Sequence, residues 1–203
     1  METIGNYEDL EFSQLQKDFV GDTTDKYKAQ IAGYPKNEGT LGLLEAADSF
    51  NQESFAPGKP QPKCKRGCAH CCYIQVVASG REVDLIVDHI KENNIILDNE
   101  KMLRLEEQAL IKDDRDYMLS THRKCVFLQD NNDCGIYPVR PFSCRNYFVF
   151  SDPEGCNTFT AEVGGKVLVH FDLDTFPVVL TLIDTSEDGV NTLPKLLIKK
   201  LKA

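Results

Sequence analysis

The sequence lacks several features that mark common classes of proteins. No stretch approaches the roughly 18 apolar residues of a membrane helix, and the first ten residues carry acidic groups where a secretion signal needs an apolar core. We therefore expect a cytoplasmic protein without a membrane partner. The chain also has no glycine-rich phosphate loop and no arguable Ser-His-Asp order, which disfavours a nucleotide-driven enzyme.

Positive charge is also scarce. Lysine and arginine number 23 against 32 acidic residues, which gives a net charge of -9. Such a chain repels a phosphate backbone, and its densest basic run, residues 59–66, lies within a group of cysteines. We therefore expect no nucleic-acid partner.

Cysteine is the residue type that the chain has in unusual number. Eight cysteines occur among 203 residues, a length that can bury an apolar core without stabilising cross-links. In a reducing compartment they cannot form lasting disulfides, so metal binding or catalysis is the leading explanation. Disulfides in an exported protein and inert buried thiols are the alternatives.

Apolar spacing predicts an α+β fold that is mainly helical, with short strands and cysteine-rich metal-binding loops. Ser79 and Glu82 form a capping box before one helix, and Asp98 can cap a second that extends to about residue 117. These two helices are predicted to form a hairpin, and the second is expected to direct its apolar side chains to the core: Met102, Leu103, Leu105, Ala109 and Leu110. Further helices are predicted at 10–20, 41–50 and 195–201, the last after Pro194.

Strands are predicted from short β-branched and aromatic runs at residues 73–78, 147–150, 167–171 and 178–183. The sequence at 130–133 predicts a turn between two short apolar runs. Changes in composition suggest three regions: an N-terminal helical extension (1–56), a cysteine-cluster metal-binding core (57–157), and C-terminal strands and a helix that pack on the core (158–203).

The cysteines form two groups. Cys64, Cys68, Cys71 and Cys72 occur within nine residues, in a loop that can double back at Gly67. The second group, Cys125, Cys134 and Cys144, has spacings of nine and ten residues around the predicted turn, so the fold can bring it back to the first group. Thiolates are soft ligands, and four of them complete either a tetrahedral zinc site or a cubane iron-sulfur cluster. Adjacent Cys71 and Cys72 diverge in an extended chain, so one can ligate while the other packs or serves a second metal.

The order of these motifs resembles the YkgJ-type cysteine-cluster proteins, which have a zinc- or iron-chelating CxxCxxCC domain. The resemblance spans roughly residues 60–150 and rests on Cys64-x3-Cys68-x2-Cys71-Cys72, Cys125-Val-Phe-Leu, Cys134-Gly-Ile-Tyr and Arg140-Pro-x2-Cys144-Arg145. It implies seven metal ligands: Cys64, Cys68, Cys71, Cys72, Cys125, Cys134 and Cys144. The group includes flagellin lysine N-methylases, for which an iron-sulfur centre is implied.

This sequence departs from many relatives at two positions. Three residues, where many relatives have two, separate Cys64 from Cys68, which leaves the role of Cys64 open. Val126 stands where a proline is frequent. The chain is also shorter than the methylases, so their metal is a stronger inference than their reaction.

Several charged side chains lie beside the motif cysteines. Arg140 and Arg145 flank Cys144 and can donate hydrogen bonds to cluster sulfur or hold an anionic group; structural salt bridges are the alternative. Three basic residues can help to keep the thiols ionised or can simply form a solvated loop, namely Lys63, Lys65 and Arg66.

The remaining candidates are more simply explained as structural residues. His70 and His122 can complete a zinc site, but a role other than ligand is favoured for each. Tyr137 and Tyr147 are expected to pack. Cys156 lies outside the motif and is expected to be a free thiol, with an auxiliary ligand role as the lesser alternative.

These observations lead to three functional hypotheses. The first is an iron-sulfur protein, with a 4Fe-4S cluster favoured, in redox or methyl- or group-transfer chemistry on an unidentified protein or small molecule. It would be an oxidoreductase or a methyltransferase-like enzyme. The second is a structural zinc module for protein interaction, and the third is a metal chaperone or store.

Overall fold

The computed structural model describes residues 13–59, 61–150, 152–156 and 175–203. Within them are eight α-helices and one two-stranded antiparallel sheet, so the mainly helical α+β prediction is confirmed. The helices are α1 (Gln14–Ile31), α2 (Lys36–Ser54), α3 (Gly80–Glu92), α4 (Asn99–Leu110), α5 (Asp114–Leu119), α6 (Phe142–Arg145), α7 (Phe176–Asp184) and α8 (Leu193–Leu201). The strands are β1 (Val77–Ser79) and β2 (Val190–Thr192). Across the described ranges, every helix is too short or too polar to cross a bilayer.

The two predicted N-terminal helices are present, and both are longer than their apolar patterns. Ser13 caps α1 through a capping box with Gln16, in which each side chain binds the other residue's backbone amide. Residues 10–12 of the prediction lie outside the described residues. Helix α1 packs on α7, and α2 packs on both α3 and α7.

Helix α3 lies at the centre of the core and begins at the predicted capping box. The Ser79 amide donates to Glu82 Oε2 at 2.6 Å, and the Glu82 amide donates to Ser79 Oγ at 3.3 Å. Gly80 is required at its first position because a Cβ there would lie 2.6 Å from the Cβ of Asp188. The apolar side chains of α3 are buried with those of α2 and α8: Leu44, Val83, Ile86, Ile90, Leu196 and Leu197.

The second predicted helix is divided into two. Asp98 caps α4 as expected, by accepting from the Lys101 amide at 2.9 Å, but a break separates α4 from α5. The prediction that Leu103 and Leu110 face the core is wrong, since they are 56% and 79% exposed; Leu105 is buried. The predicted hairpin required α3 and α4 to pack mainly on each other. In the structure both helices pack instead on α8.

The strand predictions were mostly wrong. Residues 178–183 belong to helix α7, in which Val178 and Leu182, four residues apart, are buried against the core. Tertiary packing outweighs the β propensity of this run, and Pro177 in the first turn was the missed helix signal. Of the strand predicted at 73–78, only its end is present, as part of β1. Strand β1 pairs with β2, which was not predicted. At 147–150 only Val149 forms a bridge, and 167–171 lie outside the described residues.

The division into three regions at residues 56 and 157 stays a prediction. The predicted C-terminal helix is confirmed as α8, with Pro194 in its first turn. A core cluster of buried residues contains side chains from α2, α3, α7 and α8. Helices from both ends of the chain therefore support the cysteine-containing segments between them.

The buried carboxylate of Glu82 generates a stability prediction. It accepts from the Ser79 amide, the Ser79 hydroxyl and, at 2.7 Å, the Phe142 amide, which joins α3 to α6. Glu82→Ala would leave these buried donors unpaired, so we expect the free energy of unfolding to fall by about 3 kcal/mol. Urea denaturation measures this. Glu92→Ala, an exposed site at the end of the same helix, is the control, and equal losses in the two variants would contradict the assignment.

Candidate metal centre

The first cysteine group lies in a tightly wound loop. Gly67 has a φ of 83°, a left-handed conformation that glycine adopts readily, and the Cys68 amide donates to the Lys65 carbonyl at 3.0 Å. Residues His70–Tyr73 then form a 3₁₀ helix that contains Cys71 and Cys72. The expected reversal of the chain at Gly67 is therefore present.

Three contacts hold this loop against the later cysteine segment. The Lys63 amide donates to the Val149 carbonyl at 2.7 Å, and Arg66 Nε donates to Asp133 Oδ1 at 2.8 Å. The Cys125 amide donates to the Cys72 carbonyl at 2.8 Å. The two cysteine groups, far apart in sequence, are therefore neighbours in the fold, as their spacing predicted.

The second group begins with a hairpin-like turn. Leu128 and Cys134 form an antiparallel bridge, and the Gln129 amide donates to the Asp133 carbonyl at 2.9 Å, which confirms the predicted turn. Burial raises the pKa of the Cys125 thiol to about 11, and the nearby backbone amides of Phe127 and Leu128 oppose this by lowering it. Donors of this kind stabilise a sulfur that becomes an anion or a metal ligand.

Helices α4 and α5 position the chain before Cys125. Gln108 Nε2 donates to the backbone carbonyls of His122 at 2.5 Å and Lys124 at 3.0 Å. The Tyr117 hydroxyl donates to the Arg123 carbonyl at 2.9 Å. Sequence reasoning missed Gln108 because a polar residue within an apolar stripe does not reveal which distant carbonyls it will bind.

Cys144 lies on the short helix α6, which two other elements hold in place. The Phe142 amide binds Glu82 of α3, and the Ser143 hydroxyl donates to the carbonyl of Val77 in β1 at 2.7 Å. The backbone of Cys144 itself donates to the Pro141 carbonyl at 2.9 Å. The position of this thiol therefore depends on α3 and β1.

Arg145 forms structural contacts, which sequence analysis gave as the alternative to a role at the metal centre. Its buried guanidinium donates from Nε to the Arg140 carbonyl at 2.9 Å and from Nη2 to the Pro138 carbonyl at 2.5 Å, and Nη1 contacts the Asp48 carboxylate. These bonds fasten the loop before Cys144 to helix α2. Its proposed role in holding an anionic group stays a prediction.

Arg140, in contrast, lies near enough to the thiols for its charge to act on them. After the Cys72 hydrogen bond, it helps to lower the pKa of Cys71, and it offsets part of the rise that burial causes in the pKa values of Cys134 and Cys144. Its guanidinium lies 4.3 Å from the centre of the Tyr137 ring, and its buried Nε has no hydrogen-bond partner. A buried donor without a partner is costly, and sulfur of a metal centre would supply an acceptor.

The thiols near Arg140 differ in how readily they ionise. The pKa of Cys71 is lowered to about 7, first by a hydrogen bond from the Cys72 thiol and then by the charge of Arg140, against the opposing effect of burial. The same hydrogen bond, together with burial, raises the pKa of Cys72. Burial also raises the pKa values of Cys134 and Cys144. Without metal, Cys71 is thus the first thiolate of this group to form, and metal binding must release protons from the others.

The cysteine thiols are of the chemical type that binds metal, but their side chains do not converge on one point. All eight cysteines lie within the described residues, and none of them forms a disulfide there. In that part of the chain, no three Cys, His, Asp or Glu side chains are placed to hold an ion as they stand. Thiolate sulfur is nevertheless the ligand type that zinc and iron-sulfur clusters prefer.

The remaining candidates are two histidines and the three basic residues of the first cysteine loop. His122 Nδ1 contacts the Glu107 carboxylate, and Arg66, as described, binds Asp133. Lys63 and Lys65 are exposed. The 3₁₀ helix of the first cysteine group contains His70. The expectation that neither histidine is a metal ligand stays a prediction.

Cys156 is the residue that sequence reasoning placed outside the motif. It is only 7% exposed, and the charges of Cys64, Cys68 and Cys71 help burial to raise its pKa to about 11. Cys156 therefore lies beside the first cysteine group. A spacing of twelve residues from Cys144, close to the two preceding spacings, was the signal available in the sequence.

Comparison with known families agrees with this arrangement. Residues 63–162 match the model of the CxxCxxCC family, described as a "putative zinc- or iron-chelating domain". The matched segment contains all eight cysteines and confirms the resemblance seen in the sequence. The description leaves iron and zinc open. No curated protein and no solved structure matches the chain significantly.

The lowered pKa of Cys71 predicts how the metal-free protein reacts. Because its thiolate forms above about pH 7, iodoacetamide should modify Cys71 before the other thiols of the Arg140 group, with a rate midpoint near pH 7. Arg140→Gln should move this midpoint upwards because a stabilising charge is lost, whereas Arg140→Lys should largely preserve it.

Peptide mass spectrometry of samples quenched at successive pH values measures these rates. Arg66→Gln, which removes the exposed arginine paired with Asp133, is the matched control and should leave the midpoint unchanged. A midpoint near the ordinary cysteine pKa in the wild-type protein would refute the assignment.

Proposed function

We propose, from the membership of residues 63–162 in the CxxCxxCC family, that this protein binds an iron-sulfur cluster through cysteine thiolates. It would work in the cytoplasm in redox or group-transfer chemistry. The observation that supports the proposal is the hydrogen bond from the Cys125 amide to the Cys72 carbonyl at 2.8 Å, which joins the backbones of the two cysteine groups. Four thiolates are the usual ligands of a 4Fe-4S cluster.

The thiols around Arg140 form the proposed site. Mutual charge effects link Cys71, Cys72, Cys125, Cys134 and Cys144. These thiols outnumber the ligands that one tetrahedral zinc ion requires. Hydrogen bonds to sulfur are among the main means by which proteins tune cluster potentials, and the amide donors at Cys125 together with the unpaired Nε of Arg140 are suited to that role.

Each residue has a distinct part in this proposal. Cys71 ionises first and begins ligation, while the remaining thiols lose their protons as they bind. Arg140 offsets negative charge and donates to sulfur. When bound, a cluster of this type supplies one-electron transfer.

Arg140 also marks the side from which a partner would approach. Tyr137, which stacks with its guanidinium, is 58% exposed. A small molecule or a protein would therefore reach the centre past Tyr137 and Arg140. An anionic group on that partner would be attracted by the guanidinium.

A structural zinc module is the second candidate, and one observation favours it. The chain from residue 61 to 69 has no helix or strand, although it carries two of the cysteines. A tetrahedral zinc site is a common way to order such a loop. In that case the metal would hold the loop as an interaction surface and would take no part in a reaction.

Anaerobic purification tests the proposal. Protein from iron-replete cells should be brown, absorb broadly near roughly 400 nm and contain about four iron and four sulfide per cluster. Cys125→Ser should lose the colour and the iron, because a central ligand is removed. Asp130→Ala, an exposed site in the neighbouring turn, should retain both.

Metal and sulfide analysis distinguishes the alternatives. A colourless protein with stoichiometric zinc would overturn the iron-sulfur proposal in favour of the zinc module. Metal that a mild chelator removes quickly would instead indicate a chaperone or store. A wild-type protein free of both metals would eliminate all three functions.

A further inference from the structure

We propose that a basic surface beside the first cysteine group docks an acidic face of a partner protein. This basic surface consists of the exposed side chains of Lys59, Lys63, Lys65 and Arg66. The proposal names the kind of partner that would reach the metal centre, and in that respect it rests on the proposed function. Docking itself depends on charge and not on which metal the cysteines bind.

Charge is unevenly distributed along the chain. Acidic residues outnumber lysine and arginine by 32 to 23. The segment from residue 54 to residue 80 nevertheless contains all four residues of the basic surface and no aspartate or glutamate. An acidic protein that gathers positive charge in one segment attracts a negative partner to that segment, although its net charge repels the same partner elsewhere.

Neighbouring carboxylates leave most of this positive charge available. In the described part of the chain, Lys63 and Lys65 have no carboxylate at ion-pair distance. Lys59 Nζ donates to an uncharged backbone carbonyl at 3.2 Å. Lysines of the helical frame behave differently, since Lys28 and Lys200 bind aspartates at 2.6 and 2.7 Å. The charges of the three lysines in the basic surface are therefore free to attract a partner.

The backbone beneath these charges is held in place, although residues 61–66 form no helix or strand. Gln61 Nε2 donates to the carbonyls of Phe55 and Lys59 at 2.8 and 3.0 Å. The Phe55 ring packs edge-on against Phe148 and Phe150, with centroid distances of 4.8 and 5.8 Å. A surface that is ordered before binding loses less conformational entropy when a partner docks.

Two contacts place the basic surface beside both cysteine segments. The Lys63 amide donates to the Val149 carbonyl at 2.7 Å, and Arg66 Nε donates to Asp133 Oδ1 at 2.8 Å. Asp133 directly precedes Cys134, and the basic residues alternate with the first cysteine of the other group. A partner bound to the basic surface therefore lies next to both segments, where exchange of electrons or of a chemical group with the centre requires it.

The number and setting of these charges favour an acidic protein over nucleic acid. Nucleic acid presents a continuous row of phosphates, and its affinity depends on many basic contacts. The basic surface offers few such contacts, and the turn beside it carries the carboxylates of Asp133 and the exposed Asp130. A small group of carboxylates on a protein matches the size of this surface, and lysine and arginine both bind carboxylates well.

A fluorescein-labelled peptide of about ten glutamates tests the docking surface as an acidic probe. The full-length, anaerobically purified protein should bind it at low ionic strength, measured by fluorescence anisotropy, and the affinity should fall as salt approaches about 0.15 M. Lys63→Glu combined with Lys65→Glu should weaken binding by roughly tenfold or more, because two attractions become repulsions.

The matched control is Lys17→Glu combined with Lys26→Glu, which changes the net charge equally at two exposed lysines of α1. It should weaken binding by less than about twofold, because those positions lie outside the basic surface. Equal weakening by the two double variants would overturn the proposal, since net charge alone would then account for binding. Absence of binding by the wild-type protein would overturn it as well.

Two further measurements separate the remaining outcomes. A single-stranded DNA of the same charge that binds more tightly than the peptide would assign the surface to nucleic acid and contradict the proposal. Iron and sulfide analysis of the same samples distinguishes the two proposals: protein that binds the peptide without iron refutes only the proposed function, and cluster-containing protein that does not bind it refutes only the docking surface. If the glutamate variant loses its fold by circular dichroism, Lys63→Gln combined with Lys65→Gln must show the weakening.

Discussion

The backbone hydrogen bond between Cys125 and Cys72 is the constraint on which the arrangement of the thiols depends. It joins two segments that helices α3, α4 and α5 separate in sequence. Because it lies between two cysteines, any displacement of one segment moves cysteines of both groups. Helix α4 supports the chain before Cys125 through Gln108, while α3 and α2 hold the segment of Cys144 through Glu82 and Asp48. The helical fold therefore serves largely to place irregular, cysteine-rich loops.

Much of this helical frame follows from local sequence signals. The Ser79 and Glu82 capping box, the Asp98 cap and Pro194 all mark helix starts that the structure contains. Local signals failed where tertiary packing decides. The β-branched run in α7 is helical because Val178 and Leu182 face the core from one side of a helix, and a short strand such as β2 depends on a partner that is remote in sequence.

The candidate site was predictable in its ligand types and less so in its supporting contacts. Spacing alone indicated that the two cysteine groups meet. It could not separate Arg140 from Arg145, because both flank Cys144, and only the fold shows that the charge of Arg140 acts on the thiols while Arg145 binds Asp48. Cys156 was expected to be a free thiol, with an auxiliary ligand role as the lesser alternative, for the same reason: its surroundings depend on how the chain continues after Cys144.

The central claim is that thiols from both segments bind one inorganic centre. Differential alkylation of metal-loaded and metal-stripped protein, mapped by peptide mass spectrometry during stepwise chelation, tests it most directly. The account predicts that Cys72 and Cys125 are protected together and become reactive at the same chelator dose. Protection confined to one segment, or release of the two thiols at different doses, would contradict it.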